Sequence, residues 1–423
     1  MKQSYIALTI GPIYKTLSNA KKPKELFSSS YIFSYIMKNI ILEFKDRKFI
    51  IPYVDEKAFN ENKVGLFHDR FIFKSQNGDL EKLQKVIDEV LKNVSQNLDI
   101  SFEAVKDYLQ INYIQKELEE NKNPILKLTP YLDTKELFFQ VSQNNDFVSK
   151  LRRKKGDKDN FLTLDKNIID DLKKLSSNNY YCVVHADGDK MGEVIKDIEN
   201  ISNISKNLFE YCKNSYQLIQ DFGGQTIFAG GDDLLFFAPV VGKDKSTIFN
   251  LCEKISQDFE NRFKIATLSF GISINFIKFP LYEAVENSRF QLFAKAKNEN
   301  RNNIAFQVTK HSGQSFDAVI HKGNEKIYKE FLKFVKIISN EKDDTNFLHS
   351  IHHKIDSYKT ILETIKNDKA KLENFFDNYF NKNEHNEYRE FFDSLIDFIY
   401  ISQDLNMVYS TLRFIKFVKG DKK

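Results

Sequence analysis

The chain has 423 residues, enough for two or three domains with cores of their own. Hydrophobic residues make up 41 % and charged residues 29 %, which excludes a disordered or fibrous chain and fits an ordinary globular one. The net charge of +4 is too small to argue for nucleic acid without a local basic cluster. The three cysteines, Cys182, Cys212 and Cys252, are scattered and form no CxxC pair. They give neither a disulfide framework nor a zinc site, so the expected compartment is the reducing cytoplasm.

The opening "MKQSYIALTIGPIYK" has a short apolar run broken by Gly11 and Pro12. It reads as a first strand, too short to cross a membrane and without a cleavage pattern. An apolar-rich helix is expected over 24–44, with strands in "RKFIIPYV" and "KVGLFHDRFIFKS". "DLEKLQKVIDEVLKNVSQNL" is an amphipathic helix with Asp79 as N-cap. Further helices are expected near 101–120 and 134–145. Residues 1–100 thus read as a mixed α/β unit, and 101–178 as a helical extension ending in a basic linker. In that linker, "DFVSKLRRKKGDKDNFLTL", Arg152, Arg153, Lys154 and Lys155 either face solvent or meet RNA phosphates.

From 179 to 315 the order is clearer. "YYCVVHAD" is a strand, a long helix runs over about 190–221, and "QTIFAG" and "LLFFAPV" form a hairpin. A helix over about 245–262, the strand "IATLSFGISINF", the helix "PLYEAVENSRFQLFAKAKN" and a closing strand "NNIAFQVTK" follow. Such an order predicts a sheet with helices on one face, in the ferredoxin-like manner. The first 75 residues fit a similar unit, so a degenerate duplication is expected. No proline follows Pro280 and no glycine lies between Gly323 and Gly420, so 324–423 reads as an all-helical domain. The fold class is α+β: two ferredoxin-like units, a helical insertion and an all-α C-terminal part.

The chemistry concentrates at "QTIFAGGDDLLFFAPV". Gly230, Gly231, Asp232 and Asp233 separate two apolar arms, and adjacent carboxylates at a tight turn repel each other. A hard divalent cation such as Mg²⁺ resolves that repulsion, because it prefers carboxylate oxygens and substrate phosphates. "HADGDKMG" supplies Asp187 and Asp189 at a strand end, with Gly188 allowing close approach. Each motif alone is also an ordinary turn; together, in this strand order, they point to a site. In the helix ending "FAKAKNENRNN", Leu281, Ala284, Val285, Leu292, Phe293 and Ala296 form the expected buried stripe, and Asn300 suits a left-handed cap. Lys297 and Arg301 follow, spaced to reach one triphosphate. His185 precedes the site and is either functional or packed.

Residues 179–310 resemble the GGDEF/palm nucleotidyl cyclase domain, with its strand-borne Asp, GGD hairpin and AKxxxRN segment. The GGDD version, together with the N-terminus, resembles the large palm-polymerase subunit of type III CRISPR complexes, the Cmr-type (III-B) one especially. "GPIYKTLSNAKKPKELFSSSYIFSYIM" retains that family's Gly11, Pro12, Ala20, Lys22, Leu26, Ser30 and Ser34. It departs at Tyr14, Phe27 and Ser29, where the family has Gln, Trp and Gly. "HSGQSF", with Ser312 and Gly313, also suits it.

The resemblance implies two palms facing each other with two ATP molecules between them. It places two catalytic Mg²⁺ or Mn²⁺ ions on Asp187, Asp189, Asp232 and Asp233. It implies that Gly188, Gly230, Gly231, Lys297, Arg301, Ser30 and Ser34 contact nucleotide, with Asp187, Asp232 and Asp233 catalytic. The implied activity is cyclic oligoadenylate synthesis, switched on when the guide-RNA complex captures target RNA. The implied partners are the other subunits of the complex, guide RNA and target RNA, with no membrane. Alternatives are a diguanylate-cyclase-like enzyme, transfer of AMP to another acceptor, and a scaffold that only binds RNA. Many relatives carry an N-terminal HD nuclease and a zinc-binding cysteine cluster. Here His68 and Asp69 are a bare dipeptide and the sequence opens at the palm, so neither HD-type DNase activity nor a zinc site is expected. His349, His352 and His353, at helical spacing, read as surface residues.

Overall fold

The computed structural model describes residues 2–18, 20–55, 69–138, 146–152, 171–197, 199–298, 300–336, 345–380 and 388–420. Its first unit contains strands β1 (Lys2–Gly11), β2 (Phe49–Ile51), β3 (Arg70–Lys74) and β4 (Gln110–Glu119). Their order is β2-β3-β1-β4, and every neighbouring pair is antiparallel. The helices are α1 (Ile13–Leu17), α2 (Pro23–Glu43), α3 (Asp79–Leu98), α4 (Phe102–Tyr108), α5 (Pro124–Glu136) and α6 (Phe147–Arg152).

The second unit repeats the arrangement. Its elements are β5 (Tyr180–Asp189), α7 (Met191–Val194), α8 (Ile201–Phe222), β6 (Gln225–Gly230), β7 (Asp233–Pro239), α9 (Ile248–Arg262), β8 (Thr267–Phe276) and α10 (Leu281–Phe290). A π-helical turn, Gln291–Ala296, continues α10 and leads to β9 (Asn303–Thr309) and β10 (Ser315–His321). The sheet order is β10-β9-β8-β5-β7-β6. Its β8-β5-β7-β6 part has the connectivity of the first sheet, the ferredoxin-like order expected twice over. α11 (Glu325–Lys336), α12 (Thr345–Ser357), α13 (Lys359–Ile365), α14 (Lys369–Phe380), α15 (Arg389–Ser402) and α16 (Leu405–Gly420) complete the described chain. No helix among the described residues is long and apolar enough to cross a membrane.

Side chains alternate across a strand, and β5 uses both faces. Tyr181 and Val183 join a core with Ile32, Ile36 and Met37 of α2 and with Leu281 and Ala284 of α10. Cys182 and Val184 join the opposite core, with α8, α9 and the C-terminal helices. There Phe249 meets Phe331 and Phe414 edge-on, at centroid distances of 5.0 and 4.9 Å. The second sheet is therefore covered on both faces, which is why its strands read as continuous apolar runs. All three cysteines are free and buried.

Several expectations need correction. The helix expected near 101–120 stops at Tyr108, and Gln110–Glu119 is an edge strand paired with β1. The first sheet therefore extends past residue 100, into the stretch expected to be a helical extension. The helix expected at 134–145 is α5, ten residues earlier, and residues 139–145 lie outside the described ones. Asp79 does not cap α3: Gly78 holds the N-cap in the left-handed region, and Asp79 accepts from the Gln76 N–H and pairs with Arg47. The long helix over 190–221 is two helices, α7 and α8, and β10 adds a strand after the one expected to close the sheet. Arg152 turns inward, donating to Ser29 Oγ and to the carbonyls of Thr16 and Ser18. Arg153, Lys154, Lys155 and His68 lie outside the described residues. His352 is buried, not on the surface, against Tyr409.

Candidate active site

Gly230 pairs with Asp233 across β6 and β7, so Gly231 and Asp232 alone form the turn. Gly231 has φ +67° and Asp232 does not share the positive φ, the pattern of a II′ hairpin turn. Glycine is needed at that first turn position. This geometry puts Asp232 at the tip and Asp233 at the start of β7.

β5 supplies the facing residues. Its pairing with β7 ends at Ala186–Leu234, while its pairing with β8 runs on to Asp189–Thr267. Asp187, Gly188 and Asp189 thus extend beside the hairpin tip. A Cβ on Gly188 would lie 2.5 Å from Asp232 Oδ2, so only glycine leaves room for that carboxylate. The Gly188 backbone beside it offsets part of the upward push on that carboxyl.

Asp189 is fully buried. Its Oδ2 accepts from Ser269 Oγ (2.8 Å), Thr267 Oγ1 (3.1 Å) and the Asn302 N–H (3.0 Å), which ties β5 to β8 and to the start of β9. Its Oδ1 has no hydrogen-bond partner among the described residues and faces Lys297 Nζ at 3.6 Å. Lys297 also ion-pairs with Asp187 and donates to the Gly188 carbonyl at 2.8 Å. Burial, then neighbouring Arg301, push the Lys297 ammonium down to about 8. The contact with Asp187 opposes that shift, and the lysine is charged at neutral pH.

Asp232 and Asp233 are both pushed up, to about 7. Burial is the main cause for each; Asp233 then acts on Asp232, and Asp69 acts on Asp233. Asp233 is crowded by protein yet open to solvent along one side. The direction is that of two acids held together without a cation.

The helix carrying Lys297 departs from its expected stripe. Leu281, Ala284, Leu292 and Ala296 are buried, but Phe293 is 51 % exposed and Val285 only partly covered. The π turn rotates the residues after Phe290 out of the 3.6-residue register. Arg301 and Asn302, not Asn300, take the left-handed conformation, both at φ 51°. The Asn302 N–H bond to Asp189 and the Lys322 N–H bond to the Asn302 carbonyl hold that turn, with Arg301 exposed.

A cavity of about 460 Å³ lies between the two units, with Asp233 among its lining residues. The first unit contributes Tyr14, Leu17, Ala20, Leu26 and Ser30; the second contributes His185, Leu235, Arg289 and Phe293. Ser30 is therefore in the cavity wall, whereas Ser34 is buried one turn further along α2 and is not part of that lining. Arg152 fixes the 16–18 segment of the wall through the bonds described above. Tyr14 spans the two units: its hydroxyl donates to Glu286 and its ring lies 4.5 Å from the Arg289 guanidinium carbon. Its volume is that of a small-molecule site.

Three participants escaped sequence reasoning. Asp69, set aside with His68, brings a carboxylate from the first unit into electrostatic range of Asp233. Glu286 and Arg289 lie on the exposed side of α10 and carry no motif. His185 is a packed residue: Nδ1 is 2.7 Å from Ser288 Oγ, which itself donates to the Val285 carbonyl, so His185 donates. Burial, then Arg289, push it down to about 4, leaving it neutral.

The donor set suits a hard cation. Gly188 lets the Asp232 carboxylate approach β5, Asp189 Oδ1 is a buried oxygen with no hydrogen-bond partner among the described residues, and Asp232 and Asp233 are pushed toward the neutral form, a shift that a bound cation would reverse. No group of three or more His, Cys, Asp or Glu among the described residues converges as a ready-made metal cage. Mg²⁺ does not require one, since it is usually held by one or two carboxylates together with substrate phosphates.

Comparison with known proteins agrees with this geometry. Residues 180–305 match the family model described as Cas10/Cmr2, second palm domain, and residues 5–103 match CRISPR-associated protein Cmr2, N-terminal. The CRISPR system Cmr subunit Cmr2 of Pyrococcus furiosus is 28 % identical over 172 residues, 33 % of this chain and 20 % of that protein. This chain thus aligns with a fifth of that relative's length. Among solved structures, a Csm1–Csm4 cassette in complex with cA4 matches at TM-score 0.57 and 14 % identity, covering 99 % of this chain and 70 % of that one. A type III-B Cmr-beta apo structure matches at TM-score 0.56 and 10 % identity, covering 85 % and 75 %. The two family models meet the two sheet units in order and together span more than half of the sequence. With the doubled ferredoxin-like fold and the GGDD hairpin, they establish that the chain belongs to the Cas10/Cmr2 family of large type III CRISPR effector subunits.

Proposed function

We propose that this chain joins ATP molecules into cyclic oligoadenylates. The 3′-hydroxyl of one ATP attacks the α-phosphorus of another, the new P–O bond forms as the α–β bridge breaks, and pyrophosphate leaves. The reaction runs when the chain, assembled in the cytoplasm with other subunits of a type III complex and guide RNA, holds target RNA. The observation that carries this reading is Asp232 against the Asp187–Gly188 segment, whose Asp187 pairs with Lys297, with the adjacent Asp233 lining a cavity between the two palms.

Asp187, Asp232 and Asp233, with Asp189 Oδ1 behind them, are the oxygens that would hold two Mg²⁺ or Mn²⁺ ions. When bound, the ions supply Lewis acidity to the attacking hydroxyl and the α-phosphate. Lys297 and exposed Arg301 orient the triphosphate and offset its charge. Gly188, Gly230 and Gly231 would meet the nucleotide through backbone groups only, since the side-chain space at Gly188 is taken by Asp232 and Met191 and that at Gly230 by the Phe228 ring. Ser30, in the cavity wall, donates to the nucleotide, and Ser34 supports α2 beneath it. The cA4-bound relative supports the same reading for this fold.

The test is product analysis of the assembled complex with ATP, Mg²⁺ and target RNA, against an Asp232→Ala/Asp233→Ala variant that still assembles. Oligoadenylates from the unaltered complex alone are the expected result. No ATP consumption by either, with RNA bound by both, replaces the enzyme by a scaffold. ATP consumed by the unaltered complex into another product moves the reading to a different acceptor.

A further inference from the structure

Away from the GGDD site, three cations gather where the second palm meets the C-terminal helices. Lys310 closes β9 at the hairpin to β10; Arg413 and Lys416 stand one turn apart on α16. The junction is fixed by several contacts. Ser410 Oγ donates to the Asp317 carbonyl at 2.9 Å. Tyr180 accepts the His311 N–H at 3.1 Å and packs edge-on against Phe417 at 4.6 Å. The Arg413 guanidinium carbon lies 4.3 Å from the Phe316 ring centroid and 5.7 Å from that of Tyr409.

Lys310, Arg413 and Lys416 are half-buried, and among the described residues none of them pairs with a carboxylate. Lys416 is pushed down by burial and then by Lys310 and Arg413, so it sits within the field of both. Buried His352 stacks on Tyr409 at 4.6 Å, and neither of its ring nitrogens has a hydrogen-bond partner among the described residues. His353 is its neighbour, and Asp356 is the acid that acts on it. A fold that holds uncompensated cations together in this way is complementary to a polyanion. Half-buried Tyr409 and Phe417 and exposed His311 interleave with the charges. Cations alternating with aromatic faces match the backbone and bases of a single strand better than an isolated phosphate.

We propose that the β9–β10 hairpin and the Tyr409–Arg413–Lys416 face of α16 bind the backbone of single-stranded RNA, independently of the nucleotide site.

The test measures anisotropy of a labelled polyuridine oligonucleotide with the full chain at several salt concentrations. An Arg413→Gln/Lys416→Gln variant is compared with Lys173→Gln/Lys174→Gln, which removes equal charge elsewhere. The first variant is expected to weaken binding several-fold and to reduce the salt slope by about 1.4, two contacts' worth for a single strand. Arg413→Lys/Lys416→Arg is expected to restore it. Hydrogen exchange should show RNA-dependent protection at 309–315 and 409–417, and unchanged ATP binding shows that the palm is intact. Equal losses in both charge variants, no loss in either, or protection confined to other segments would overturn the proposal. So would loss of a purified partner subunit's binding while RNA binding stays unchanged, since the face would then be a protein interface.

Discussion

Lys297 closes the candidate site on itself: its ammonium ion-pairs with Asp187, donates to the Gly188 carbonyl at 2.8 Å and faces Asp189 Oδ1 at 3.6 Å. These oxygens belong to the same β5 segment that would face a divalent cation. The lysine therefore serves as an internal counter-ion, and a triphosphate bound as proposed would have to draw it away from Asp187. On the proposed function, cation binding and nucleotide binding would be coupled through this one side chain.

Lys297→Met should accordingly tighten Mn²⁺ binding in the absence of nucleotide, by several-fold, and weaken ATP binding in its presence. Electron paramagnetic resonance titration of Mn²⁺ reads the first effect and calorimetry the second. Unchanged Mn²⁺ affinity would show that Lys297 does not compete for these oxygens.

Gly188→Ala tests the other contact at this segment. The added methyl would lie 2.5 Å from Asp232 Oδ2, 2.8 Å from Asp232 Cβ and 2.7 Å from Met191 Cγ. Met191 can swing aside, but the turn aspartate is held by its two-residue hairpin. The variant should assemble and melt close to the parent while ATP turnover falls by more than about tenfold, the scale of a misplaced catalytic group. Full turnover would mean that the Asp232 carboxylate moves freely.

What was legible in the sequence follows from periodicity and local chemistry. The apolar strands around β5, the GGDD turn and the glycine-free C-terminal helices announce themselves within a few residues. β4 did not: "QINYIQKELE" is a mostly half-covered edge strand, and only its long-range pairing with β1 distinguishes it from a helix. The π turn was invisible for a similar reason, because a 3.6-residue stripe assigns Phe293 inward and one widened turn moves it out. Asp69 could not be recognised because its relation to Asp233 exists only once the two units meet. Asp189 was read as one more acid of the site, whereas three donors on Oδ2 make it chiefly the anchor that sets Lys297 and the β9 turn.

Acid should expose two silent histidines. His185 and His352 are each pushed down to about 4, His185 by burial and then Arg289, His352 by burial and then Lys416, His353 and Arg413. An unfolded chain binds these protons near the ordinary histidine value of about 6.5. Their contribution to stability is therefore complete above that value and is lost as pH falls toward 4. His352→Phe keeps a ring against Tyr409 and removes the proton site, so its melting temperature should fall less between pH 7 and pH 4.5 than the parent's. Parallel curves would exclude His352 from the acid transition.

The turn that delivers Lys297 depends on a glycine packed beneath it. Gly271 sits in β8 opposite His185 and directly beneath the junction of α10 with the π turn. A Cβ there would lie 2.2 Å from the Ser288 carbonyl oxygen, 2.3 Å from the Leu292 N and 2.7 Å from Leu292 Cβ. Two of these atoms are backbone, so no rotamer change relieves the overlap and the helix itself must lift. Lifting it stretches the His185–Ser288 bond and moves the residues leading to Lys297. Gly271→Ala should therefore lower the melting temperature by several degrees, as overpacking by about 1–3 kcal/mol would, and weaken ATP binding together with it. The comparison is Gly313→Ala, at φ +82° in the β9–β10 turn with no atom within 4 Å of the added methyl. That variant carries backbone strain without displacing the helix, so it should reduce stability while leaving ATP affinity intact. Equal effects of the two variants on ATP binding would separate Lys297 from the packing of α10 on β8.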